Sequence, residues 1–122
     1  MKTALVIDDN KTLADSLCQF LELLDVHATA AYSPRGMYLL LRDQTPDIVF
    51  LDINMPGLSG FEVLCFLKRE WRLKDIPVVF VTSDDQKQTA ERARHDGALA
   101  LLVKPVTLEE LENVLRQAKV IE

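Results

Sequence analysis

Short apolar runs alternate with amphipathic stretches along the whole chain. Thr3 to Ile7 is an apolar run ending in Asp8-Asp9-Asn10, after which Leu13, Leu17, Phe20, Leu21 and Leu24 recur at helical spacing. Asp9 or Asn10 is placed to cap that helix. His27 to Ala31 forms a weaker second strand, and Ser33-Pro34 then has the cap-then-proline form of a helix start, with Met37, Leu40 and Leu41 on its apolar face. The strand Asp47 to Leu51 follows, bounded by Pro46-Asp47 before and Pro56-Gly57 after. Its apolar run is too short for a helix and rich in strand formers, which predicts a strand buried on both faces. Ser59-Gly60-Phe61-Glu62 opens a third helix carrying Phe61, Leu64, Leu67 and Trp71, and Ser59 with Glu62 has the form of a capping box. Val63 and Phe66 fall off that main apolar face.

Val78 to Val81 predicts a fourth buried strand, ending at Thr82-Ser83. The helix from Gln86 to His95, closed by Gly97, has only the small apolar residues Ala90 and Ala93. With so little area to bury it is expected to be the least firmly anchored helix and a candidate moving element. Leu99 to Val103 is a fifth strand ending at Lys104-Pro105. Thr107 and Glu110 form a second capping-box pattern, and Leu108, Leu111, Val114, Leu115 and Ala118 line the last helix. Five strand-helix units with nearly continuous apolar strands predict an α/β fold: a doubly wound, five-stranded parallel sheet of order 2-1-3-4-5 with helices on both faces, a flavodoxin-like three-layer sandwich.

In such a sheet, ligands bind beyond the carboxyl ends of the strands. Strand 1 brings Asp8 and Asp9 to that edge, strand 3 brings Asp52 and Asn54, strand 4 Thr82 and Ser83, and strand 5 Lys104. Taken singly these residues are unremarkable: an acid pair capping a helix, a polar strand end, a helix-capping hydroxyl, a surface lysine. Taken together they put acids at two neighbouring strands, a hydroxyl on the next and a cation on the last. Three carboxylates this close repel one another unless a cation compensates them, and hard oxygen donors of this kind suit Mg²⁺. A carboxylate facing a crevice, such as Asp52, can also serve as a nucleophile.

The formal charge of −5 argues against a nucleic-acid backbone as partner, because phosphate binding needs clustered lysine and arginine. No apolar run approaches the ~20 residues that span a bilayer, and Met1-Lys2-Thr3 leads directly into a strand, so no membrane is expected and the expected compartment is the cytoplasm. Cys18, Cys65, His27 and His95 are isolated; the cysteines lack metal-type spacing and read as buried or half-buried thiols without chemistry, and neither histidine is a candidate catalytic group.

Asp8-Asp9, Asp52 followed by Met55-Pro56 and Gly60, Thr82 and Lys104-Pro105 together resemble the receiver domain of two-component response regulators, the chemotaxis-regulator-like fold, over essentially residues 1–122. The resemblance implies that Asp52 accepts a phosphoryl group from a sensor histidine kinase or a histidine phosphotransfer protein. Mg²⁺ would be held by Asp8 or Asp9, Asp52 and the backbone carbonyl of Asn54. Lys104 and Thr82 would bind phosphoryl oxygens, and the chain would catalyse only its own Mg²⁺-dependent phosphorylation and dephosphorylation. The state would be read by a downstream protein target, or an effector domain outside this chain, on the face formed by helix 4, strand 5 and helix 5. Leu101 stands where the family usually has an aromatic residue that swings with the switch, and Val106 where it often has phenylalanine. An aromatic-type switch is therefore not expected.

Two rival readings stay open at this point. One is a constitutive binding module of the same fold that is never phosphorylated. The other is a phosphohydrolase with an aspartate nucleophile, against which stands Asn54, where such chemistry normally places a second acid.

Overall fold

The computed structural model describes residues 1–122. In chain order the elements are β1 (Thr3–Ile7), α1 (Lys11–Leu23), β2 (His27–Ala31), α2 (Pro34–Asp43), β3 (Ile48–Leu51), a two-stranded hairpin of Asn54–Met55 with Leu58–Ser59, α3 (Gly60–Arg69), β4 (Val78–Thr82), α4 (Lys87–His95), β5 (Ala100–Val103) and α5 (Leu108–Gln117). The five long strands pair in parallel in the order β2-β1-β3-β4-β5, as the sequence predicts.

Alternation along the strands divides the interior into two cores. Leu5, Ile7, Val49, Leu51, Val78 and Phe80 face Met37 and Leu41 of α2, Phe61, Leu64 and Leu67 of α3 and Ala93 of α4. Ala4, Val6, Ile48, Phe50, Val79 and Val81 face Leu17 and Leu21 of α1 and Leu111, Val114 and Leu115 of α5. A strand residue thus buries its side chain on one face while its neighbour buries on the other, which is why these strands read as continuous apolar runs.

Helix ends follow local chemistry. The Asn10 side chain accepts the Leu13 N–H at 3.1 Å, settling the choice between Asp9 and Asn10. Ser33 accepts from Gly36, and Thr107 with Glu110 closes a full capping box. At α3 the expected box does not form: Ser59 caps by accepting the Phe61 N–H, two residues on, and Glu62 takes no part. Gly97, at φ +103°, closes α4 in a conformation that side-chain-bearing residues seldom adopt.

Two expectations about α3 are corrected. The helix stops at Arg69 and the chain turns at Glu70, so Trp71 is carried off the helical stripe and is 84% exposed, with the Lys74 ammonium 4.6 Å from its ring centre; Leu73 and Ile76 are buried in its stead. Val63 is buried, because α3 is covered along a stripe wide enough to take Gly60, Phe61, Val63, Leu64 and Leu67. Smaller differences lie at the edges. β3 begins at Ile48, while the Asp47 carboxylate accepts the Thr3 N–H at 2.8 Å. Leu13 and Leu108 sit on the margins of their helices' apolar faces and remain partly exposed.

Ala93 is the single buried residue of α4. What else holds the helix is polar or marginal: the Arg92 guanidinium lies 3.9 Å from the Phe61 ring centre, and Asp84 ties the first turn by accepting the Gln86 N–H at 2.9 Å and the Thr89 hydroxyl at 2.7 Å. Amide hydrogen exchange is expected to show residues 87–95 opening at least about tenfold more readily than α3 or α5, in keeping with the small apolar area that anchors them. Protection equal to that of α5 would contradict the weak anchoring.

Candidate functional site

The register of the sheet brings the acids together. Ile7 pairs with Leu51, so the next residues along, Asp8 and Asp52, leave β1 and β3 side by side, with the Asp52 N–H donating to the Ile7 carbonyl at 2.9 Å. On the other side, Thr82 pairs with Val103 and the Lys104 N–H donates to the Thr82 carbonyl at 2.7 Å, so Lys104 emerges beside the end of β4. Three polar residues are buried in the chain, and they are Asp8, Asp52 and Thr82, at 5%, 7% and 0% exposure. Burying polar groups is costly, so their gathering at one edge marks that edge as the chemical centre.

The Lys104 Nζ reaches into this edge, 3.0 Å from Asp8 Oδ2 and 3.6 Å from Asp52 Oδ1. Asp8 Oδ1 accepts the Asn10 N–H at 2.9 Å, so both its oxygens are engaged. Asp9 is exposed, yet one carboxylate oxygen from each of Asp8, Asp9 and Asp52 lies within 4.8 Å of the others. All are hard oxygen donors at a separation that one small divalent cation bridges, and the set fits Mg²⁺. Asn54, in the hairpin, is paired with Ser59 and exposed.

Burial pushes the Asp52 carboxyl above the usual carboxylate range, and the neighbouring Asp8 charge adds to this; Lys104 and the Asn54 N–H act in the opposite sense without cancelling it, and Asp9 raises it further. Two carboxylates thus share one ammonium at this edge, and burial is the larger cause of the raised Asp52 carboxyl.

Thr82 is fully buried, and its hydroxyl oxygen accepts the Asp84 N–H at 3.2 Å. Asp84, held below the usual carboxylate range by the Thr89 hydroxyl and the Gln86 N–H, is a link that the sequence reading passed over. Its signal is an acid just ahead of a helix, the common position for a capping side chain. Leu101 is half-buried, paired with Phe80 and packed on the α2–α4 side of the sheet.

Gly60 matters through its backbone. Its N–H donates to the Ile53 carbonyl at 2.7 Å, and a Cβ placed on it would lie 2.4 Å from the Asp52 carbonyl oxygen and 2.8 Å from the Ile53 Cα. The hairpin folds back so tightly on the strand end bearing Asp52 that only glycine fits.

This arrangement is the acidic rim of a signalling module, and residues 4–116 match the response regulator receiver domain; the chain belongs to that family, the receiver domains of two-component systems, which are signalling modules addressed by kinases or phosphotransfer proteins. Among its relatives, protein PilH of Pseudomonas aeruginosa is 34% identical over 91% of this chain and 92% of its own length. The polar-differentiation response regulator DivK of Brucella ovis is 30% identical over 88% and 87%. Among solved structures, the signal receiver domain of a DNA-binding response regulator from Colwellia psychrerythraea overlays with a TM-score of 0.90 at 31% identity, covering 99% of this chain and 100% of that one. The Vibrio cholerae chemotaxis protein CheY4, at 23% identity, shares the fold with a TM-score of 0.89 over 97% and 98%. No helix here is long and apolar enough to cross a membrane.

Because the folded state raises the Asp52 pKa, the native protein binds more protons than the unfolded chain at mildly acidic pH, so this residue's contribution to stability falls as pH rises through that window and stays unfavourable above it. In metal-free buffer Asp52→Asn is expected to melt a few degrees above wild type at neutral pH, the gap closing as pH falls through the ordinary carboxylate range. A melting temperature below wild type at neutral pH would contradict the charge imbalance. Gly60→Ala is expected to cost about 1–3 kcal/mol through overpacking, read from the denaturant midpoint.

Proposed function

We propose that Asp52 is the phosphoryl acceptor, that Asp8 and Asp9 with Asp52 and the Asn54 backbone carbonyl hold Mg²⁺, and that Lys104 and Thr82 bind the transferred group. The observation that supports this most directly is the confinement of the buried polar residues to Asp8, Asp52 and Thr82 at one edge, with Lys104 beside both acids. Mg²⁺, when bound, neutralises charge on the transferring phosphoryl group.

Asp52 needs no base, being a carboxylate already. Its oxygen attacks the phosphorus of a phosphohistidine on a sensor kinase or phosphotransfer protein; a P–O bond forms, the P–N bond breaks, and the imidazole, protonated at its other ring nitrogen, leaves neutral with the electron pair. The Lys104 ammonium exchanges part of its pairing with Asp8 for a phosphoryl oxygen, and the Thr82 hydroxyl gives up its place in the turn before α4 to donate to another. The chain thereby promotes its own phosphorylation and, with water as the later nucleophile, its own return to the carboxylate.

Drawing in Thr82 pulls on the Asp84 turn, and through it on α4, whose one buried residue offers little resistance. The face of α4, β5 and α5 would then report the state to a downstream protein or effector domain. Leu101 supplies no aromatic ring for this, so movement of the Thr82–Asp84 turn is the main carrier.

Incubation with Mg²⁺ and a small acyl phosphate, read by intact mass, is expected to add one phosphoryl group to wild type and none to Asp52→Asn, with Lys104→Ala slowed by about a hundredfold or more, as for loss of one charge-stabilising group. A beryllium fluoride adduct is expected to shift backbone amides of residues 82–106 well beyond those of β2. Phosphate uptake by Asp52→Asn equal to wild type would refute the acceptor, and silent amides the switch.

A further inference from the structure

A cavity of about 230 Å³ lies against the acidic rim, between α1 and the loop joining β5 to α5. Its body is apolar, walled by Leu13, Leu17, Phe20, Val81 and Val106, and one end is closed by Asp8, Asp52 and Lys104. The partly exposed Leu13, at 44%, edges it. An apolar cavity of about 150 Å³ holds a benzene ring, so this one has room for a single ring with a short chain. Its charged end has two carboxylates against one ammonium and so carries one net negative charge. Apolar body and singly negative end together define the complement: a small organic monocation with an apolar tail.

We propose that this cavity is a binding site for a small amphipathic ammonium compound, its ring or alkyl body among Leu13, Leu17, Phe20, Val81 and Val106 and its cationic head on the Asp8–Asp52 pair. The head takes a place that the proposed function gives to Mg²⁺, so ligand and metal exclude each other; this competition and the resulting block on phosphoryl transfer rest on that proposal, and the binding site itself does not. Such a compound holds the receiver in a metal-free state unable to accept a phosphoryl group. This makes the site a negative control point set by organic cations.

The test is calorimetric titration of the full chain with phenethylammonium in metal-free buffer, alongside methylammonium, which lacks the body, and phenethyl alcohol, which lacks the charge. Phenethylammonium is expected to bind one-to-one and at least about tenfold more tightly than either, because the tail buries apolar area and the head pairs with charge. Val106→Phe, which fills the cavity, is expected to weaken it about tenfold while leaving Mg²⁺ affinity unchanged, and Mg²⁺ is expected to weaken it in proportion to its concentration. Equal affinity for methylammonium, or undiminished affinity in a folded Val106→Phe, overturns the site. Should that variant not fold, methyl resonances of Leu13, Leu17, Val81 and Val106 in wild type decide: they move on titration, or the proposal fails. A separate Mg²⁺ titration separates the two readings, since amine binding without Mg²⁺ binding defeats the phosphoryl-acceptor site and spares this one.

Discussion

Two carboxylates share one ammonium at the end of the sheet, and most of the architecture serves to keep them there. Asp8 and Asp52 are brought together by the β1–β3 register, and Lys104 arrives from β5 at 3.0 and 3.6 Å from their oxygens. Removing charges from water is expensive, and one cation does not compensate two buried anions with a third nearby. The raised Asp52 carboxyl reflects its burial first and the neighbouring Asp8 charge second. A fold optimised for stability alone would replace these acids. Keeping them fits the proposed function, in which this edge would receive charge as a divalent ion and then as a phosphoryl group.

The surroundings of this centre are unequal in stiffness. Asp52 is clamped from below by the Ile7 carbonyl and from the side by Gly60, whose missing side chain lets the hairpin press on the strand end. Thr82 opens instead into a turn tied by Asp84 to α4, a helix with one buried residue. The strand end bearing Asp52 is held fast while Thr82 beside it is attached to a helix that buries little. In the proposed function, a local charge change at Asp52 would act on α4 through this turn, without any need for a wire of contacts across the domain.

Much of this was legible in the chain because parallel strands buried on both faces leave a strong signature, and because polar residues ending such strands all fall on one rim. The five strands, their order and the convergence of Asp8, Asp52, Thr82 and Lys104 follow from that regularity. What was not legible depends on geometry one turn long. Trp71 fits the helical spacing of α3, but the turn at Glu70 intervenes, and periodicity carries no information about where a helix stops. Glu62 has the right spacing for a capping box, yet Ser59 closes on the Phe61 N–H, and spacing does not say which N–H a capping side chain takes. The Asp84 link and the cavity beside Val106 arise from contacts between elements, which no local pattern encodes.

The exposed ring at Trp71 has one more consequence. The segment that carries it is fastened to the opposite rim of the sheet: the Arg72 guanidinium donates to the carbonyls of Leu41 and Gln44 and to the Thr45 hydroxyl, ahead of β3. As the chain's sole indole, Trp71 is its natural fluorophore, and it stands in solvent beside Lys74, a strand's length from the acids. Its emission is a remote gauge. A spectral change on filling the acidic pocket would register strain that had travelled the length of the domain, whereas a constant spectrum would mark the far end as a rigid base.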